Sequence, residues 1–203
     1  DLSLMFAQFS PDRTRVAYVR AHNLYVQDLR DLRVTALTTD GSATLINGTS
    51  DWVNEEELGI RDAYRWSPDG TALAFWQFDT TGVGTFHLLD NTSGLYPKLT
   101  SFPYPKVGET NSATRLGVVA ATGGAARWLE VPGDPREHYL PHLAWSPDGT
   151  RIAFTSKRGE DAVASLYVIN LAGGEPEKIL ELPYGVAQPK WMPDCMFNIA
   201  ATT

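Results

Sequence analysis

Glu55, Glu56 and Glu57 follow one another in the segment Asp51-Trp52-Val53-Asn54-Glu55-Glu56-Glu57-Leu58. Like charges this close repel, so a fold keeps them where water screens them or where a cation pairs with them. Trp52 argues for an anchored segment, because its large apolar body favours burial. The combination reads as a fixed carboxylate cluster for a positive ligand; the competing reading is a solvated acidic turn. Other chemistry-bearing residues are sparse. The histidines are His22, His87, His138 and His142. His138 and His142 have a helical ligand spacing, but Pro141 stands between them and two nitrogens without a third ligand make a poor zinc site. Asp12, Asp69 and Asp148 invite a calcium assignment that turn capping explains more simply. No metal and no cofactor is expected. The single Cys195 excludes an intrachain disulfide and a thiolate metal cluster.

The elements that must position the glutamates are written as a repeat. Phe9-Ser10-Pro11-Asp12-Arg13-Thr14-Arg15-Val16-Ala17-Tyr18 matches Trp66-Ser67-Pro68-Asp69-Gly70-Thr71-Ala72-Leu73-Ala74-Phe75 and Trp145-Ser146-Pro147-Asp148-Gly149-Thr150-Arg151-Ile152-Ala153-Phe154. A worn fourth copy opens at Trp191-Met192-Pro193-Asp194. Each unit is an aromatic residue, a tight turn, then an alternating run that predicts a half-buried strand. Further strands are predicted over 23–29, 34–38, 165–171 and 177–181. About four short antiparallel strands per copy make a β-propeller blade. The fold class is therefore all-β, a partial propeller of three to four blades.

The turn prolines are 57, 79 and 46 residues apart, against roughly 40–50 for blade repeats. The two long intervals must hold insertions, which in repeat folds map to loops, often on the binding face. The glutamates lie in the first insertion, and a short helix is predicted over 55–63 to carry them. Trp66, Phe75, Trp76, Phe78, Trp145 and Phe154 alternate along strands and are assigned to the blade core rather than to base or sugar stacking.

Composition narrows the partners. The 203 residues are 43% apolar and 20% charged, with a net charge of -7; that balance disfavours nucleic acid and anionic membranes. No apolar run reaches the ~18 residues that span a bilayer. The chain opens on Asp1 with a strand pattern under way, which reads as a trimmed or processed start. Two glycosylation sequons occur, at Asn47-Gly48-Thr49 and Asn91-Thr92-Ser93.

Asp51-Trp52-Val53-Asn54-Glu55-Glu56-Glu57 resembles the Asp-Trp-Val-Tyr-Glu-Glu-Glu motif of the dipeptidyl peptidase IV family of serine peptidases. Tyr96-Pro97-Lys98 and Phe102-Pro103-Tyr104-Pro105-Lys106-Val107-Gly108 resemble stretches downstream in the same propeller, and the order of the motifs agrees over residues 9 to 145. The resemblance implies an N-terminal propeller above a C-terminal α/β-hydrolase domain, in an enzyme that removes N-terminal dipeptides. It implies that Glu56 and Glu57 bind the free α-amino group of a peptide substrate, with Glu55 structural.

The chain departs from the family pattern at Asn54, where tyrosine is commoner. The family's propeller arginine has no counterpart that can be placed; Arg20 and Arg61 are the nearest candidates. No Gly-x-Ser-x-Gly nucleophile elbow occurs in the 203 residues, so residues 1–203 are expected to be a single propeller region, a fragment without the hydrolase domain and its Ser/Asp/His triad, and inactive alone. The resemblance further implies the hydrolase domain as a partner, a homodimer, and a periplasmic or secreted location; composition leaves the cytoplasm open. The alternative is a stand-alone TolB-like propeller that serves as a protein-binding scaffold.

Overall fold

A computed structural model describes residues 3–158, 161–194 and 197–201; Cys195 lies outside them. The first blade is a four-stranded antiparallel meander of β1 (Met5–Phe9), β2 (Arg15–Arg20), β3 (Asn23–Asp28) and β4 (Val34–Ala36). The second is built on β7 (Ala72–Asp79). Its inner edge is shared by two short strands, β5 (Leu45–Asn47) and β6 (Tyr64–Trp66), with the helix α1 (Trp52–Glu56) between them in sequence. Between β7 and the next blade strand stands a separate hairpin of β8 (Thr85–Asp90) and β9 (Lys98–Pro103). Then β10 (Ala113–Ala120) and β11 (Arg127–Trp128) complete the sheet in the order β11-β10-β7-β5, with β6 also on β7.

The third blade is β12 (Leu143–Trp145), β13 (Arg151–Ser156), β14 (Ser165–Asn170) and β15 (Glu177–Leu180). A fourth sheet begins with β16 (Val186–Trp191) and β17 (Phe197–Ala201). The predicted strands and the propeller architecture are present, the described residues forming three blades and the opening hairpin of another.

The turns repeat atom for atom. Ser10, Ser67 and Ser146 hydroxyls donate to Asp12, Asp69 and Asp148 at 2.6, 2.6 and 2.5 Å, and the amides of Thr14, Thr71 and Thr150 donate to the same carboxylates. The three aspartates are turn caps. These bonds hold the Asp12 and Asp148 carboxyls down at about 2, the serine hydroxyl contributing most. Gly70 and Gly149 adopt φ of 68° and 70°, while Arg13 takes the same left-handed conformation in the first copy.

The blade strands correct one expectation. Runs such as 151–156 alternate in sequence like half-buried strands, yet β7 and β13 are buried on both faces. The second and third blades are each packed between two neighbours, so neither face of their central strands meets water. On β7, Leu73 and Phe75 join Ala17, Val19, Leu24 and Val26 of the first blade, while Trp76 and Phe78 join Ile152, Phe154 and Tyr167 of the third. The odd and even sets of one strand thus cement two different interfaces.

The aromatic residue that opens each repeat also departs from a pure core role. Trp66, Trp145 and Trp191 are half-buried. Each donates its indole N–H to the preceding blade, to the carbonyls of Gln8, Arg65 and Ala144 at 3.3, 3.0 and 3.0 Å. Those acceptors occupy one equivalent position, just before the opening aromatic of their own repeat. Arg15 and Arg151 add guanidinium contacts over the Trp66 and Trp191 rings. Trp76, Phe75, Phe78 and Phe154 are core residues as expected.

Candidate functional site

The glutamates sit where the inner strand of the second blade is interrupted. Residues 48–63 leave that strand and return to it, and the two ends are tied together. Ala63 N–H donates to the Gly48 carbonyl at 2.9 Å, Gly48 N–H to the Trp76 carbonyl at 3.2 Å, and Trp76 N–H to the Ala63 carbonyl at 3.0 Å. Gly48 has φ of 76°, and a Cβ there would come within 2.8 Å of Val19 Cγ2. The junction requires glycine.

Below it lies a polar knot. The fully buried Asn47 amide donates to Asp40 Oδ1 at 2.9 Å and to the His22 carbonyl at 3.1 Å. Gln77 Nε2 donates to Asn47 Oδ1 at 2.7 Å, and Arg115 Nε to Gln77 Oε1 at 2.7 Å. Buried amides are costly unless paired, so this knot fixes the root of the insertion. It also places the Asn47 sequon inside the protein, while Asn91 is exposed beyond the end of β8.

The helix starts and stops for local reasons, and it is displaced from the predicted 55–63. Asp51 is the N-cap, accepting from Asn54 N at 2.9 Å and from Asn54 Nδ2 at 2.7 Å. The last turn closes with Glu57 N–H on the Val53 carbonyl, Gly59 N–H on the Glu55 carbonyl and Ile60 N–H on the Asn54 carbonyl. Gly59 takes φ of 68° and ends the helix. Ile60 is buried in the core shared by the second and third blades, with Leu58 packed against it. Asn54 is 2% exposed and turns inward onto Asp51, so its departure from tyrosine concerns the cap and the packing behind the helix.

Trp52 reaches outward instead. Its ring lies 4.5 Å from Tyr104 and 6.5 Å from Phe102 between centroids, and both of those meet Phe86. These rings, with Leu88, Pro105, Lys106 and Val107, line an apolar groove of about 560 Å³. Sequence reasoning used Phe102 and Tyr104 only as parts of a motif; their aromatic spacing was the available signal that they form a platform.

The three glutamates separate. Glu55 is half-buried and pairs with Arg61 Nε at 3.2 Å, a surface pair of small energetic worth. Glu56 and Glu57 are exposed, and among the described residues neither side chain has a hydrogen-bond or ion-pair partner. They stand at the C-terminal end of the helix, where unpaired carbonyls add partial negative charge. Two exposed carboxylates on adjacent residues concentrate negative charge at this end of the helix.

The remaining candidates lie elsewhere. Arg61 is occupied by Glu55, and Arg20 stacks on Tyr25 at 4.9 Å. His138 is buried with Nε2 3.1 Å from the Pro132 carbonyl. His142 is partly buried, and desolvation followed by the Arg65 charge lowers its pKa. Residues 135–142 contain no helix, so the i,i+4 spacing of this pair is not a ligand geometry. His87 Nδ1 contacts the Ser101 hydroxyl at 2.8 Å across the exposed hairpin.

Comparison with known proteins adds family to geometry. The family described as the dipeptidyl peptidase IV (DPP IV) N-terminal region matches residues 1–193. The chain is 33% identical over 180 residues to the probable dipeptidyl peptidase 4 of Emericella nidulans, covering 85% of this chain and 23% of that protein. It is 31% identical over 150 residues to the inactive dipeptidyl peptidase 10 of Mus musculus, covering 71% of this chain and 19% of that protein. The crystal structure of Porphyromonas gingivalis dipeptidyl peptidase 4 aligns with a TM-score of 0.84 at 27% identity, over 97% of this chain and 29% of that one. The chain thus spans less than a third of the length of these relatives. Matched along nearly its whole length by sequence and by fold, it belongs to the dipeptidyl peptidase IV N-terminal region family and is a portion of that family's propeller.

Proposed function

We propose that this chain is the non-catalytic propeller portion of a dipeptidyl peptidase IV-like serine exopeptidase, in which Glu56 and Glu57 hold the α-amino group of the substrate peptide. The observation that carries the reading is the contrast within the triplet: Glu55 is paired, while Glu56 and Glu57 are exposed and unpaired on a helix otherwise anchored at both ends. Consecutive helical positions project about 100° apart, so the two carboxylates approach one ammonium from different sides. Charge-assisted hydrogen bonds of that kind select a free amine against a blocked one. A hydrolase domain elsewhere in the polypeptide supplies nucleophile, base and oxyanion hole.

The test is Glu56→Gln with Glu57→Gln in the full-length protein. We expect kcat/KM on free-amine dipeptide substrates to fall by two or more orders of magnitude, because hydrogen bonds to charged groups contribute about 1.5–3 kcal/mol each. An unchanged value rejects the anchoring role. The likeness to an inactive dipeptidyl peptidase 10 supports a second reading, a protein-binding scaffold; absence of any dipeptide release by the full-length protein favours it. The apolar hairpin, with Leu88, Leu89, Leu95 and Leu99 exposed, supports the homodimer that the family resemblance implies, and light scattering of the full-length protein checks that assembly.

A further inference from the structure

We propose that the β8–β9 hairpin is the support that orients the glutamate helix, and that Trp52 is the positioning residue through which it acts. The inference rests on the amine-anchoring reading for its effect on activity, and on geometry alone for the coupling itself.

The helix cannot orient itself. At five residues it is far below the length at which a helix persists in water, so its direction is set by what holds its ends and its side chains. The C-terminal side is held from below, by Ile60 in the core and Leu58 against it. The cap formed by Asp51 and Asn54 is internal to the insertion and fixes the helix start without fixing its tilt. Among the ring contacts of the described residues, those of Trp52 join the helix to the hairpin, and all of them fall on Phe102 and Tyr104.

Trp52 and Glu56 are four residues apart, hence neighbours on one helix face. A roll or tilt of the helix that shifts the indole therefore displaces that carboxylate as well. Glu57, the next residue, moves with it.

The dependence runs both ways. Among the described residues the hairpin pairs only with itself, from Thr85↔Pro103 to Asp90↔Lys98, and belongs to no blade sheet. A lone two-stranded hairpin is marginal in water. Its base is tied by Val83 N–H to the Thr80 carbonyl at 3.0 Å and Tyr104 N–H to the Gly84 carbonyl at 2.7 Å. Above that base, Phe86, Phe102 and Tyr104 form one cluster with Trp52. Helix and hairpin are each too small to be ordered alone and share one aromatic cluster. Whatever steadies or disturbs the hairpin therefore reaches Glu56 and Glu57.

The experiment uses the full-length protein carrying Trp52→Ala, Tyr104→Ala, both together, or Trp52→Phe. Hydrogen–deuterium exchange over residues 52–60 reads the coupling without reference to activity. Tyr104→Ala, which lies at the foot of the hairpin outside the helix loop, is expected to accelerate exchange there about tenfold or more, and Trp52→Phe much less. Unchanged exchange in Tyr104→Ala overturns the proposal. For catalysis, Trp52→Ala and Tyr104→Ala are each expected to raise KM for free-amine dipeptide substrates about tenfold to a hundredfold with a much smaller change in kcat. The double variant should be no worse than the worse single one, as for two residues in one contact; additive losses overturn a shared role.

The two readings fail differently. If the paired glutamine variant loses substrate binding while Trp52→Ala and Tyr104→Ala keep wild-type KM, the amine site stands and the support role is wrong. If the glutamine variant is as active as wild type, the amine reading is wrong, and exchange alone decides whether the hairpin holds the helix.

Discussion

The second blade places two kinds of apolar surface side by side. On β7, Leu73, Phe75 and Phe78 are fully buried, and each faces a neighbouring blade. In the hairpin that follows, Leu95 is 91% exposed and Tyr96 82%. The second blade hides the apolar side chains of β7 because it has a partner on both faces. The hairpin displays its own because it stands away from every sheet. Apolar content alone therefore does not say whether a segment is core; what decides is whether the topology supplies a second surface. The glutamate helix lies at the boundary, rooted in the frame by Leu58 and Ile60 and leaning on the hairpin through Trp52.

The largest effect expected from that difference is in the frame. Trp76→Ala removes a fully buried ring and its bond to the Leu140 carbonyl at 2.8 Å, and should cost about 3–5 kcal/mol in urea unfolding. A loss under about 1 kcal/mol would mean that the blade interfaces are no better packed than the hairpin.

A middle-sized effect belongs to the joint. Gly48→Ala meets both a left-handed backbone and the Val19 side chain, and should cost about 1–3 kcal/mol. It should also open residues 48–63 to limited proteolysis while the blades stay intact, and cleavage within the blades instead would show that the insertion is not a separate unit.

The smallest effect is electrostatic and confined to the turns. Asp12 and Asp148 titrate at about 2 in the folded protein against 3.8 ordinarily. A carboxyl held low contributes stability above its ordinary value and loses it as pH falls through that window. Asp148→Asn should therefore lower the urea midpoint slightly at neutral pH and flatten its decline between about pH 5 and about pH 2, variant and wild type converging in acid. An equally steep acid decline would assign the loss to groups outside the repeats.

The frame was legible in the sequence because its instructions are local and repeated. Ser-Pro-Asp dictates the same hydroxyl, carboxylate and amide bonds wherever it occurs, and three copies make the reading redundant. The glutamates were legible as a charge anomaly, and the motif around them named a family. Their support was not. The contacts of Trp52 with Phe102 and Tyr104 join residues about fifty positions apart, and no periodicity announces a contact between an insertion and a later hairpin. The helix boundaries were misread for a related reason. Three glutamates drew the prediction toward 55–63, while an aspartate cap and a left-handed glycine set the observed limits at Trp52 and Glu56. The double burial of β7 and β13 was also hidden, since alternation records one face of a sheet and says nothing about whether a second layer covers the other.

The indole bonds that link the blades have a direction. Each donor lies on the later blade, and each acceptor is a backbone carbonyl of the earlier one. A blade emerging during synthesis therefore meets its docking point already made, and needs nothing from sequence not yet translated. These blades are written so that they can be assembled in reading order, each later one carrying the latch for the one before it.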